Sequence, residues 1–253
     1  MFGRLFGRNS AQAAPAALPP DTRIYAVGDI HGRADLLREA HDLIRADMAR
    51  APVGRTVVIY LGDYVDRGLE SRQVIDLLLD EPLEGVERIH LKGNHEQFML
   101  LFLDDQGVGG NWLSNGGNAT LYSYGVGMGE ASSMEERMTA AQATLREAVP
   151  QRHLAFLRDL RLSHREGDYI FVHAGVKPGR LLEEQVEEDL LWIRDEFLHC
   201  DRDLGGIVVH GHSIAAEPEI RANRIGIDTG AFASGVLTVL VLEGTGRGFL
   251  QTE

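Results

Sequence analysis

Five short blocks of this chain set carboxylates, imidazoles and a carboxamide beside glycine. They are Gly28-Asp29-Ile30-His31-Gly32, Gly62-Asp63-Tyr64-Val65-Asp66-Arg67-Gly68, Gly93-Asn94-His95-Glu96, His173-Ala174-Gly175 and His210-Gly211-His212. Carboxylate, imidazole and amide oxygen together suit Mn, Fe, Zn and similar divalent ions. Asp29 and His31 are two positions apart, so on an extended segment their side chains leave the same side. The adjacent glycines permit sharp turns and leave room for an anion. The one cysteine, Cys200, stands outside every block, which excludes a zinc–cysteine knot and gives that thiol a structural reading. Each block alone has an ordinary explanation. Gly-Asp is a common turn pair, Asp66 and Arg67 would form a surface ion pair of little worth, and Asn94 would cap the helix after it. Chance is the weaker account of five separate turns that all carry ligand-type residues.

Each block follows a stretch that reads as a strand: 24–28, 56–62, 88–92, 169–173 and Ile207–His210, with further strands expected at 224–227 and 236–242. Helices are expected at Ala34–Arg50, with Leu36, Leu37, Ala40, Leu43, Ile44 and Met48 near one face, at Ser71–Asp80, and over 96–104. Early strand–helix alternation followed by a run of strands predicts an α/β fold, an α+β sandwich flanked by helices. Ligand-binding loops gather at strand ends in such sheets.

The pattern changes over 107–129, which is rich in Gly and Asn and holds Trp112, Tyr122 and Tyr124. It reads as loop and short helix. A helix over 132–149, capped by Ser132 with Glu135 three residues on, and another over 151–160 are expected next. The stretch 107–160 is thus expected to be a helical insertion that walls the site. Its aromatics would line the pocket or, as is commoner, pack in the core. Asp228 would orient a ligand histidine or end a strand. The acidic run 183–189 reads as a solvated helix face.

The chain has 253 residues, with 25 Lys and Arg against 38 Asp and Glu, so the formal charge is 25 − 38 = −13. A tail over 1–20 and a single domain over 21–253 are expected. The acidic balance argues against coating nucleic acid. One cysteine precludes an intramolecular disulfide and fits a cytoplasmic protein. No apolar stretch is long enough to span a membrane. Arg4, Gly7, Arg8, Asn9, Ser10 and Gln12 interrupt the roughly 7–15 apolar residues that a signal peptide needs.

The first three blocks together resemble the signature of the phosphoprotein phosphatase family of calcineurin-like metallophosphoesterases. His173-Ala174-Gly175 and Gly211-His212 occur in the order that family uses for its later ligands. Asn111-Trp112-Leu113-Ser114-Asn115-Gly116-Gly117, Leu191-Trp192-Ile193-Arg194 and Ile227-Asp228-Thr229-Gly230-Ala231 resemble its bacterial branch, the one that includes the bacteriophage lambda protein phosphatase. The resemblance spans about 24–242.

The resemblance implies a metallophosphoesterase fold and two divalent metals. Mn is the favoured ion, and Fe, Zn, Co and Ni suit the same ligands. Asp29 and His31 would hold the first metal, Asp63 would bridge, and Asn94, His173 and His212 would complete the second. His210 competes with His212, but the family's ligand follows Gly. Arg67 and Arg194, with Asn94 beside them, would bind the phosphate, and His95 would act as acid held by Asp66. Two metals about 3.5–4 Å apart lower the pKa of a shared water and aim it at phosphorus, so hydrolysis would be direct. The implied function is hydrolysis of phosphate monoesters, with phosphoserine or phosphothreonine proteins, or a small phosphate ester, as substrate. The alternative within enzymes is a symmetrical diadenosine-tetraphosphatase or another nucleotide pyrophosphohydrolase. That group commonly departs at the position of Asp66 and has Asp where this chain has Glu96. From another class, the alternative is a non-catalytic metal-holding binding module.

Overall fold

The structure, a computed structural model, describes residues 15–129 and 133–253. The elements begin with β1 (Thr22–Val27), α1 (Ala34–Arg50), β2 (Arg55–Tyr60), α2 (Ser71–Asp80), β3 (Glu87–His90) and α3 (Asn94–Asp104). A helical segment follows: α4 (Gly109–Trp112), a wide turn over Leu113–Gly117, α5 (Asn118–Ser123), α6 (Met134–Ala148) and α7 (Gln151–Arg158). The second half holds β4 (Ser163–Glu166), β5 (Tyr169–Val172), α8 (Glu187–Trp192), α9 (Asp195–Leu198), β6 (Ile207–His210), β7 (Glu219–Ile220), β8 (Arg224–Gly226), α10 (Ala231–Ser234), β9 (Thr238–Glu243) and β10 (Gly246–Gln251).

Two five-stranded sheets result, in the orders β10-β9-β1-β2-β3 and β4-β5-β6-β8-β7. Side chains alternate across each strand. Ile24, Ala26, Val57 and Ile59 therefore meet Tyr169, Phe171, Val209 and Ile225 of the other sheet. Tyr25, Val27, Val58 and Tyr60 face away and join the cluster that contains Leu37 of α1, Val74 of α2 and Phe102 of α3. On the outer face of the second sheet, Ile170, Val172 and Val208 pack with Leu190 and Phe197. With both faces covered, β1 is buried at every position. β1, β2 and β3 run parallel, as do β5, β6 and β8, so the carboxyl ends within each set lie together.

The sequence reading missed three strands, β4, β7 and β10. All three are sheet edges. An edge strand is half-exposed and carries polar residues that hide its alternation, as Ser-His-Arg-Glu does in β4. The expected cap, Ser132, lies outside the described residues. The cap of α6 is Ser133, whose Oγ accepts from the Glu136 N–H at 3.1 Å. The expected tail also needs correction at its inner end. Residues 1–14 lie outside the described residues, but Leu18 is buried between the sheets. Its N–H donates to the Gly244 carbonyl at 2.9 Å, and the Ala17 N–H donates to Asp168 Oδ2 at 2.9 Å. Proline disrupts periodicity, but the remaining backbone groups still find partners.

Candidate metal centre

The ligand blocks leave their strands in backbone conformations that L-residues rarely adopt. Six non-glycine residues among those described have positive φ. Five of them, His31 at 46°, Asp63 at 52°, Asp66 at 71°, Arg67 at 68° and His212 at 62°, lie in these blocks. Each costs of order 1–3 kcal/mol and persists where the surroundings over-determine it. Glu96 supplies much of that determination. Its carboxylate accepts from the N–H groups of Asp63, Tyr64, Val65 and Gly93 at 2.7–3.2 Å. Gly93 is required at this approach, because a Cβ there would lie 2.1 Å from Asp63 Oδ1.

Asp63 stands at the centre. Donor atoms of His31, Asp63 and His95 lie within 4.8 Å of one another, as do those of Asp63, His173 and His212. His95, expected as the acid, thus also lies beside His31 and Asp63. Asp29 stands alongside, its Oδ2 accepting the His212 N–H at 3.0 Å and its Oδ1 buried without a partner. His212 joins the cluster, whereas His210 packs its ring edge-on against Phe197 and donates from Nδ1 to the Gly211 carbonyl. Asn94 Oδ1 lies 2.9 Å from both His173 Nε2 and His212 Nδ1.

The tautomers follow from the hydrogen bonds. His31 Nδ1–H donates to the Val65 carbonyl and His173 Nδ1–H to the Leu61 carbonyl, since a carbonyl only accepts. Burial pushes the His31 imidazole down to about 3 and lowers that of His173, so both rings are neutral. Their Nε2 atoms therefore carry lone pairs. Those atoms lie 3.3 and 3.4 Å from the two oxygens of Asp63. Acceptors facing acceptors across a buried space suit a cation between them, with backbone carbonyls fixing the rings from behind. The carboxylates agree. Burial, then Asp228 and Asp63, pushes Asp29 well above its usual range. Buried Asp228 keeps Oδ2 without a partner. The oxygen and nitrogen donors thus fit divalent ions of the Mn, Fe or Zn kind.

The other predicted residues lie around this centre. His95 Nδ1 donates to Asp66 Oδ2 at 2.7 Å. Burial works against the imidazolium, but Asp63 and Asp66 raise the His95 pKa above its ordinary value. Arg67 donates to His31 Nε2 at 2.7 Å, and its guanidinium carbon sits 4.9 Å from the centre of the Phe232 ring. Arg194 is exposed at the start of α9. Its charge reaches His212, whose imidazole is pushed down by burial, then His173 and Arg194. Of the aromatics, Tyr122 is exposed, Tyr124 bonds His153, and Trp112 is buried with its indole N–H on Asp66. Sequence reasoning missed the contacts of Thr120 and Phe232 and the bracing by Glu96. Only the glycine pair after Trp112 hinted at close packing there.

The family model described as calcineurin-like phosphoesterase matches residues 22–221. The chain belongs to the calcineurin-like phosphoesterase family. It is 30% identical over 224 residues to serine/threonine-protein phosphatase 2 of Salmonella typhimurium, covering 85% of this chain and 90% of that one. The serine/threonine-protein phosphatase PP2A-like PPG1 of Saccharomyces cerevisiae is 37% identical over 105 residues, which are 41% of this chain and 26% of that one. The chain thus spans about a quarter of that yeast relative and nearly all of the bacterial one. A solved structure titled a putative diadenosine tetraphosphatase superposes with a TM-score of 0.63 at 21% identity, covering 95% of this chain and 99% of that chain. That likeness shows the shared fold. The resemblance to phosphoprotein phosphatases therefore holds: this is a metallophosphoesterase with bacterial and eukaryotic serine/threonine phosphatase relatives. No helix among the described residues is long and apolar enough to cross a membrane.

Proposed function

We propose that the protein hydrolyses phosphate monoesters of serine and threonine in proteins, in the cytoplasm and with manganese. The observation that carries this reading is the His95–Asp66 pair at the edge of the cation-ready cluster. It supplies a proton donor of the kind an alkoxide leaving group needs. Asp29, His31 and Asp63 would hold one divalent ion, and Asp63, Asn94, His173 and His212 the other. Such ions supply Lewis acidity and lower the pKa of water.

The chain's own groups do the rest. Arg67 and Arg194 grip two phosphate oxygens with planar forks. As the ester P–O bond breaks, its electron pair goes to the serine oxygen, which takes the Nε2 proton of His95. A water oxygen forms the new bond to phosphorus and loses one of its protons to solvent, and the now neutral His95 takes up a proton from solvent before the next turnover. Asp66 keeps the Nδ1–H and fixes the ring. The serine/threonine phosphatase relatives and the presence of both Asp66 and Glu96 support a phosphoprotein over a dinucleotide.

The test is hydrolysis by metal-stripped protein, with and without added manganese, on a phosphoserine peptide and on diadenosine tetraphosphate. Asp63→Asn protein is the blank. Manganese-dependent release from the peptide is expected. Preference for the dinucleotide would move the function to nucleotide turnover. Silence on both, with metals bound, would favour a non-catalytic module.

A further inference from the structure

The proposed proton donor depends on one carboxylate, and that carboxylate is gripped from outside the ligand blocks. Asp66 is fully buried. Its Oδ2 accepts from His95 Nδ1 at 2.7 Å and from Trp112 Nε1 at 2.9 Å. Its Oδ1 accepts from Thr120 Oγ1 at 2.6 Å. The Asp66 N–H returns to the same place, reaching Thr120 Oγ1 at 2.9 Å and Ser71 Oγ at 3.0 Å. An indole N–H only donates, so Trp112 leaves no doubt about the direction of its bond.

The backbone after Trp112 is shaped around these contacts. A Cβ on Gly117 would come within 2.5 Å of the Trp112 ring. Gly116, at φ 104°, accepts the Arg67 N–H at 3.2 Å, and a Cβ there would lie 2.8 Å from the Arg67 nitrogen. One turn thus seats the indole against Asp66 and receives the backbone of Arg67.

We infer that Trp112 and Thr120 are positioning residues that lock the Asp66 carboxylate and, through it, the ring angle and tautomer of His95. The helical segment then contributes to proton donation and not only to packing. This rests on the phosphomonoesterase reading above. A carboxylate held on both oxygens cannot swing, so the imidazole keeps Nδ1–H on Asp66 and presents Nε2 to the leaving oxygen. Relaxing the grip should matter in proportion to the basicity of the leaving group.

The experiment compares kcat and KM of Trp112→Phe, Thr120→Val and Thr120→Ser on a phosphoserine peptide and on p-nitrophenyl phosphate. Phosphoserine leaves as a basic alkoxide, whereas nitrophenolate leaves without help. On the peptide, Trp112→Phe and Thr120→Val should each lower kcat roughly 10-fold, part of the roughly 10²–10⁴ that a general acid supplies. On the aryl ester kcat should fall less than about 2-fold, with KM unchanged on both. Thr120→Ser should restore the peptide rate. Equal losses on both esters, or none on either, overturn the inference.

Should Trp112→Phe fail to fold, Thr120→Val is nearly isosteric and carries the same test. A second readout needs no turnover. The Trp112 indole N–H resonance, identified by its absence from Trp112→Phe, should move in Asp66→Asn protein. A resonance that stays in place overturns the inference. Wild-type protein that cleaves neither ester with metals supplied sinks the phosphatase reading alone, and the resonance then decides the inference.

Discussion

The loops leaving the first sheet are braced from several sides, whereas those leaving the second deliver one imidazole each and borrow their orientation. After β1 and β2, four residues with positive φ sit in two blocks, and Glu96 ties down four backbone N–H groups. The second sheet brings His173 and His212. The His173 ring is aimed by the Leu61 carbonyl, and His212 is held by Asp29 and Asn94. All of these partners belong to the first sheet's side of the cluster. The first sheet is thus a frame that carries both acid and bridge, and the second adds ligands to it.

Four perturbations sharpen or break that contrast, from the largest effect down. Asp63→Asn removes the carboxylate common to both triplets. Activity should fall to that of a no-enzyme control and metal content of the purified protein should drop, as read by elemental analysis. Retained turnover would remove Asp63 from the centre. Asp66→Asn should lower kcat on a phosphoserine peptide roughly 10²–10⁴-fold while metal content stays whole. Intact turnover in a metal-replete sample would break the assignment of His95 as acid. His173→Ala, on the second sheet, should weaken metal affinity at least about 10–100-fold. Excess manganese should recover part of its activity but none of that of Asp66→Asn. If excess metal rescues both alike, the division between frame and added ligand is wrong.

The smallest effect is on folding and tests the first sheet's packing directly. His41 in α1 is buried, with Nε2 on the Tyr60 hydroxyl at 2.8 Å and Nδ1 lacking a partner. Burial, then Arg45, pushes its pKa down to about 4. The unfolded ring, near its ordinary 6.5, takes up a proton as pH falls while the folded ring does not. Stability is therefore full above about pH 6.5 and declines toward pH 4. Between pH 7.5 and 5.0 the loss from this group is about 2 kcal/mol. Urea unfolding of wild type and His41→Leu at both pH values should differ by that amount, and identical pH slopes would show that His41 is solvated.

Much of this was legible before any coordinates. The three leading blocks are local in sequence, and the first two follow strands whose apolar runs are plain, whereas the third follows β3, in which Ile89 alone is buried. Three of the four edge strands, β4, β7 and β10, were not legible, because exposure removes the pattern that marks a strand, whereas the edge strand β3 was read. The cap of α6 was placed one residue early, since Ser132 and Ser133 offer the same hydroxyl and both are followed three residues later by glutamate. The bonds of Trp112 and Thr120 to Asp66 span 46 and 54 positions. Nothing in the spacing of a tryptophan and a threonine announces a carboxylate that far away. His95 as a neighbour of His31 and Asp63 was likewise hidden, because the geometry comes from two loops crossing.

β1 lies between β2 and β9, and its register matches Arg23 with Glu243, 220 positions later in the chain. During synthesis, the strand that leads into Asp29 leaves the ribosome with one of its two partners still untranslated. Until residues 238–243 emerge, one side of β1 is an unpaired strand edge able to template pairing with another nascent chain. Closing that ladder is the most non-local strand pairing among the described residues, which makes it a slow step. A translational pause before residue 238 is therefore where a holding chaperone is most needed.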